Sequence, residues 1–178
     1  MKKKMKNNSE KGKMFSWMNP KLEVREGEKY GKGVFANQDI GKDEILAIFG
    51  GYILTIEEEA KLPEKYKDGG VQIHENYVLS SKDHIEPTDY FNHTCEPNAG
   101  FNGQIFLVSM KEINKDDEIS FDYAMCLFSR GEKDYYSFPC KCGNEKCRGS
   151  VTSDDWKTEE LQAKYKGYFQ RFLEDKIN

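Results

Sequence analysis

The sequence predicts a mainly β fold of the α+β kind, and three observations predict it. Short runs rich in β-branched and aromatic residues recur at 22–25, 33–36, 45–52, 77–80, 105–109 and 118–122, divided by Gly and Asp turns. These runs follow one another without the intervening long helices that βαβ units need. Eleven Phe, ten Tyr and two Trp, 13% of the 178 residues, supply enough large apolar surface to argue against wholesale disorder.

Taken in order, residues 1–20 read as a flexible tail. Residues 1–13 hold six Lys and one Glu, a net of +5. Phe15, Trp17 and Met18 then form a short docking segment. From Lys21 the strands begin. A short helix is predicted over 55–61, with Thr55 as N-cap and Glu58 three residues on as its capping-box partner, ended by Pro63. Residues 63–76 are polar and Gly-containing and read as a mobile insert. The segment 158–177 reads as one helix, because Leu161, Tyr165, Tyr168 or Phe169, and Phe172 recur at steps of three and four.

Composition excludes several classes. No run of 18 apolar residues is present, so no membrane span is expected. The Lys-rich start lacks an apolar stretch and does not read as a secretory signal. Beyond residue 13 there are 21 basic and 30 acidic residues, a net of −9. Such a body repels nucleic acid and attracts basic partners, so direct nucleic-acid binding is expected only through the basic tail. Five cysteines, an odd number, fit a disulfide framework poorly, and a reducing, intracellular setting is expected: cytoplasmic, nuclear and chromatin-associated, or inside a host cell.

Four strings carry chemistry. Gly31-Lys32-Gly33 follows Tyr30; glycines admit close backbone approach to a ligand, yet by itself the string reads as a tight turn. Asn92-His93-Thr94-Cys95 places amide, imidazole and thiol within four residues. Phe121-Asp122-Tyr123 ends a strand, and Tyr123 by itself reads as a core tyrosine. Cys140-x-Cys142-x4-Cys147-x-Gly149 offers three soft ligands for zinc, which takes four. Cys95, Cys126 or a histidine remain as candidates for the fourth.

In this order and spacing the strings resemble the SET-domain protein lysine methyltransferases with a post-SET zinc motif, over about residues 21–150, and the tail from Trp156 to Phe172 resembles the C-terminal segment of small prokaryotic-type members. The resemblance implies a SET fold of several short twisted sheets at 21–124, with the Asn-His and Phe-Asp-Tyr segments crossing in a pseudoknot at the active site. A zinc-bound post-SET segment at 125–150 and a C-terminal helical segment at 151–178 follow. It implies S-adenosyl-L-methionine as cofactor, held by Tyr30, Gly31, Lys32, Gly33, Asn92, His93 and Tyr123. It implies Tyr123 and Tyr77 as catalytic tyrosines, with Phe121 and Tyr77 along the substrate channel and Phe121 leaving room for di- or trimethylation. One structural Zn is implied on Cys95, Cys140, Cys142 and Cys147, leaving Cys126 spare. The implied partner is a basic, lysine-containing protein, histone-like or ribosomal. The competing expectation is a catalytically silent SET-fold module that binds a basic peptide. The chain departs from the family pattern at Asp89-Tyr90, where many members carry Arg-Phe, which alters the local charge.

Overall fold

A computed structural model describes residues 14–27, 31–67, 69–129 and 136–178. The basic stretch 1–13 and Tyr30 lie outside the described residues. In chain order the strands are β1 (Trp17–Met18), β2 (Leu22–Gly27), β3 (Gly31–Ala36), β4 (Ile45–Ile48) and β5 (Tyr52–Thr55). Helix α1 (Ile56–Glu59) follows, then β6 (Val71–His74), β7 (Tyr77–Ser80), β8 (Asn92–His93), β9 (Ala99–Asn102), β10 (Phe106–Ser109) and β11 (Glu118–Phe121). The chain ends with β12 (Phe138–Pro139), β13 (Ser150–Val151), α2 (Glu159–Lys164) and α3 (Arg171–Ile177). The fold is mostly β, as expected.

An eight-stranded sheet runs β1-β4-β10-β9-β11-β3-β2, and β8 also pairs with β11. The other sheets are β5-β7-β6 and the β12-β13 pair. Most ladders are antiparallel. The exceptions lie at the centre, where β11 runs parallel to β8, Ser120 opposite Asn92 and Phe121 opposite His93, and parallel to β9 at Ala99. The two chemistry-bearing strings are therefore joined side by side by backbone pairing.

One core unites the domain. Val34, Leu46, Phe101, Leu107, Ile119 and Met125 are buried in a single cluster with Tyr165, Phe169 and Leu173 of the C-terminal segment. The capping box forms as predicted, with the Glu58 N–H donating to Thr55 Oγ1 at 3.1 Å and the Thr55 N–H donating to Glu58 Oε2 at 2.8 Å.

Four expectations need correction. The run 45–52 is two strands, not one. Gly51 takes φ +147°, and a Cβ there would stand 2.6 Å from the Ser80 carbonyl oxygen, so a glycine lets the chain turn tightly past β7 into the second sheet. The insert 63–76 contains β6, whose Val71 and Gln72 are buried. The tail does not extend to residue 20. Glu86, itself buried, accepts the N–H groups of Phe15 at 2.7 Å and Ser16 at 2.9 Å, and Trp17–Met18 pair with β4. The predicted helix 158–177 is two helices. Gly167 at φ +83° breaks it, and residues 168–170 run along the main sheet instead: Phe101 N–H donates to Tyr168 O at 2.9 Å and Gln170 N–H to Met125 O at 2.9 Å.

Candidate active site and metal centre

The site is built on β11 and the strand beside it. Proline at the start of a 3₁₀ turn (Pro87–Tyr90) fixes φ where no N–H is needed, and the turn delivers Phe91, Asn92 and His93 onto β11. The Asn92 amide donates to the Lys32 carbonyl at 3.1 Å and to Glu118 Oε1 at 2.8 Å. Asn92 thus locks the Gly31-Lys32-Gly33 strand to β11. At Gly33 a Cβ would lie 2.6 Å from that Glu118 oxygen and 3.0 Å from Asn92 Nδ2, so a side chain there would push the Glu118 carboxylate and disturb its bond to Asn92.

His93 is buried, and its Nδ1 accepts the Tyr123 N–H at 3.2 Å. That bond leaves the ring proton on Nε2, 3.6 Å from Cys95 Sγ. Burial lowers the His93 pKa to about 4, against the smaller opposing pull of Asp122, so the ring is neutral at pH 7. The Tyr123 ring packs edge-on against His93 at 5.3 Å and tilted against Phe121 at 5.0 Å, and its hydroxyl donates to the Phe91 carbonyl at 2.9 Å.

Alternation along β11 sends successive side chains to opposite faces. Phe121 faces a cavity of about 240 Å³ walled by Phe49, Phe91, Tyr123, Leu127 and Phe138. Glu118 and Ser120, three and one positions before Phe121 and in phase with each other, face a polar cavity of about 190 Å³ that His93, Asn98 and Asn144 also border. An aromatic chamber and a polar one therefore lie on either face of one strand. Tyr136 also lines the aromatic chamber, and its hydroxyl donates to the buried Glu59 carboxylate at 2.5 Å, which ties that wall to α1.

The structure brings together Gly31, Lys32, Gly33, Asn92, His93, Phe121 and Tyr123. It does not bring Tyr77 to them. On β7 the buried neighbour is Val78, so Tyr77 points outward, 41% exposed, its ring 5.6 Å from His74. Sequence reasoning missed Phe49, Phe91 and Phe138 as chamber walls, since each sits in a string that reads equally well as ordinary core.

The four sulfurs of Cys95, Cys140, Cys142 and Cys147 lie within 4.8 Å of one another. Cys95 and Cys140 are 3.8 Å apart. A tetrahedron with Zn–S of about 2.3 Å has an edge of about 3.8 Å, so this donor set fits a closed structural zinc site. Backbone N–H groups of Arg148, Cys142 and Gly149 face the Cys95, Cys140 and Cys147 sulfurs at 3.4–3.5 Å and give each a hydrogen-bond donor. Cys126 stands apart in the aromatic chamber wall, and burial pushes its thiol well up.

Behind the site, Asp122 is fully buried. It accepts Arg148 at 2.5 and 2.9 Å and the Tyr165 hydroxyl at 2.8 Å, and Arg148 also reaches Asp155. One ionic cluster thus joins the strand end, the cysteine segment and the C-terminal segment.

Short twisted sheets, two parallel-paired chemistry strings and a cysteine cluster closing over them define a SET-type domain. The SET domain model matches residues 31–124, more than half of the chain, and the chain belongs to that family. It is 25% identical over 144 residues to a variant-silencing SET domain-containing protein of Plasmodium falciparum, covering 71% of this chain and 5% of that protein. It is 26% identical over 152 residues to the putative histone-lysine N-methyltransferase ASHH4 of Arabidopsis thaliana, covering 78% of this chain and 42% of that one. Human histone-lysine N-methyltransferase SETD1B is 25% identical over 132 residues, covering 67% of this chain and 6% of that protein. The chain spans less than half the length of each of these relatives. Among the described residues no helix is long and apolar enough to cross a membrane.

Proposed function

We propose that the protein is an S-adenosylmethionine-dependent protein-lysine N-methyltransferase acting on a basic protein, histone-like or ribosomal. One observation carries the reading: Tyr123 lines the aromatic chamber with its ring edge-on to His93, a residue that also borders the polar chamber beside Glu118 and Ser120. The cofactor, when bound, supplies an electrophilic methyl on a sulfonium. The donors and acceptors of the polar chamber, with Asn92 and the Gly31-Lys32-Gly33 backbone beside it, are the residues that would hold it.

The chain's own groups address the remaining difficulty, which is the amine. Free lysine has a pKa of about 10.4, so the neutral nucleophile costs about 4–5 kcal/mol at pH 7. Phe49, Phe91, Phe121 and Phe138 exclude water around an inserted side chain, which lowers that cost by desolvation. The Phe91 carbonyl fixes the Tyr123 hydroxyl, so the ring is oriented before substrate arrives. Phe121, rather than a hydroxylated ring, leaves room for an amine that already carries methyl groups. The net −9 of residues 14–178 favours a Lys/Arg-rich partner. Cys95, Cys140, Cys142 and Cys147 hold a zinc that ties the post-SET segment to the site.

The test is transfer of labelled methyl from S-adenosylmethionine to core histones and a hypomethylated lysate, with Tyr123→Phe in parallel. Labelled lysine in the wild type that is lost in the variant supports the reading. Absence of labelling in protein that binds cofactor and zinc overturns it in favour of a silent peptide-binding module.

A further inference from the structure

The aromatic chamber has one wall that does not match the rest. It comes from consecutive residues of the 3₁₀ turn, Thr88 and Asp89. Thr88 is 3% exposed, and its hydroxyl has no hydrogen-bond partner among the described residues. Asp89 Oδ2 accepts the Glu86 N–H at 2.8 Å, while no bond to Oδ1 is found there. Asp89 makes no ion pair among the described residues. It is also the one ionisable carboxylate among the described chamber walls, and no Lys or Arg joins it there. Burying the orphan Thr88 hydroxyl in an aromatic wall is costly and contributes nothing to packing, and the half-buried Asp89 carboxylate beside it has no cationic partner there. Two such acceptors side by side match a ligand rich in N–H donors and positive charge.

We propose that Thr88 and Asp89 form a cation-receiving subsite in the chamber wall, which takes the side-chain ammonium of the substrate lysine before it is deprotonated. The proposal rests on the methyltransferase reading. It answers a question of supply, because at pH 7 only about one lysine in a few thousand is neutral. A purely aromatic chamber would wait for that form, whereas Asp89 binds the abundant ammonium at the wall; the amine must then move off the carboxylate and release its proton to water before it is a nucleophile. It also gives the Asp89-Tyr90 string, where Arg-Phe is the common family pattern, a function in substrate selection.

Asp89 is ionised at neutral pH, though burial raises its pKa to about 6. The charged groups around it are Glu86 on the same turn, His84 on the loop before it, and Lys65 and Lys67 across a neighbouring cavity of about 160 Å³ that Asp89 also lines. Tyr66 and Tyr90 of that cavity, with Tyr123, Tyr136 and Cys126 of the chamber, are the other titratable residues lining the two spaces.

The experiment is an NMR titration of the full chain with n-butylammonium and, separately, with 1-butanol, a neutral probe of the same length. The wild type at pH 7.5 is expected to bind the ammonium at least about tenfold more tightly. The preference should fall as pH drops through about 6. It should disappear in Asp89→Asn and shrink severalfold in Thr88→Val. Equal binding of both probes by the wild type overturns the proposal, and so does a preference that survives in Asp89→Asn. The wild-type pH series tests it without any variant, should one fail to fold. A chain that prefers ammonium yet labels no protein fails only the enzyme reading; one that labels protein without the preference fails only this inference.

Discussion

The guanidinium of Arg148 meets the buried carboxylate of Asp122 through two hydrogen bonds, at 2.5 and 2.9 Å, one residue before the site tyrosine. Arg148 belongs to the cysteine segment, so this pair anchors that segment at the base of the site. Replacing Arg148 by Met strands the carboxylate with Tyr165 and Ala124 as its remaining donors. Breaking a buried pair from one side costs about 3–5 kcal/mol. Arg148→Met should lower the unfolding free energy by about 3 kcal/mol, read as a fall in the urea midpoint at unchanged slope.

Metal analysis should find one zinc per chain. Cys95→Ser should lose it, and Cys126→Ser should keep it, because Cys126 lies outside the sulfur cluster. A strong chelator should lower the Tm of the wild type and leave that of Cys95→Ser unmoved, since metal binding and folding are linked. Retention of zinc in Cys95→Ser would remove that residue from the ligand set.

A Cβ at Gly100 would stand 2.8 Å from the Tyr168 Cβ. Close beside that contact Phe101 N–H donates to Tyr168 O. Gly100→Ala should therefore push the C-terminal segment off the sheet and cost about 1–3 kcal/mol. Faster proteolysis confined to residues 158–178 would show where the strain goes.

The Asp89 pKa carries a stability consequence with a definite sign. In the unfolded chain the carboxyl releases its proton near 3.8, in the fold near about 6. Between those values the native state holds the proton more tightly, so stability falls as pH rises through that window. Asp89→Asn should stabilise the fold at pH 7.5 by of order 1–3 kcal/mol, at about 1.36 kcal/mol per unit. The gain should shrink toward pH 4. Calorimetry at the two pH values reads it directly, and a gain that persists unchanged at pH 4 would place its origin elsewhere.

Much of this architecture was legible in the chain. The capping box at Thr55 and Glu58 is a local device, and local devices read well. The cysteine spacing pointed to three of the four clustered sulfurs, and the ordered strings pointed to residues that gather around β11. What was hidden depends on contacts between distant segments. Ala99 and Gly100 have poor strand propensity, yet β9 forms because Phe101 and its neighbours are clamped between β10, β11 and Tyr168. Val71–His74 looked polar because Gln72 is an unusual core residue, satisfied here by donating to the Phe128 carbonyl and accepting the Phe128 N–H. Tyr77 was implied by resemblance alone, and a match of a few residues does not tell which face of a strand is inward; here β7 buries Val78 instead.

The parallel pairing of Asn92–His93 with Ser120–Phe121 also bears on how the molecule comes into being. Neither two-residue partner is a stable strand by itself, and the loop between them must close before either gains anything. Contacts of such sequence separation form slowly and late. A nascent chain or partly folded intermediate therefore has no assembled site until the last long-range closure is made.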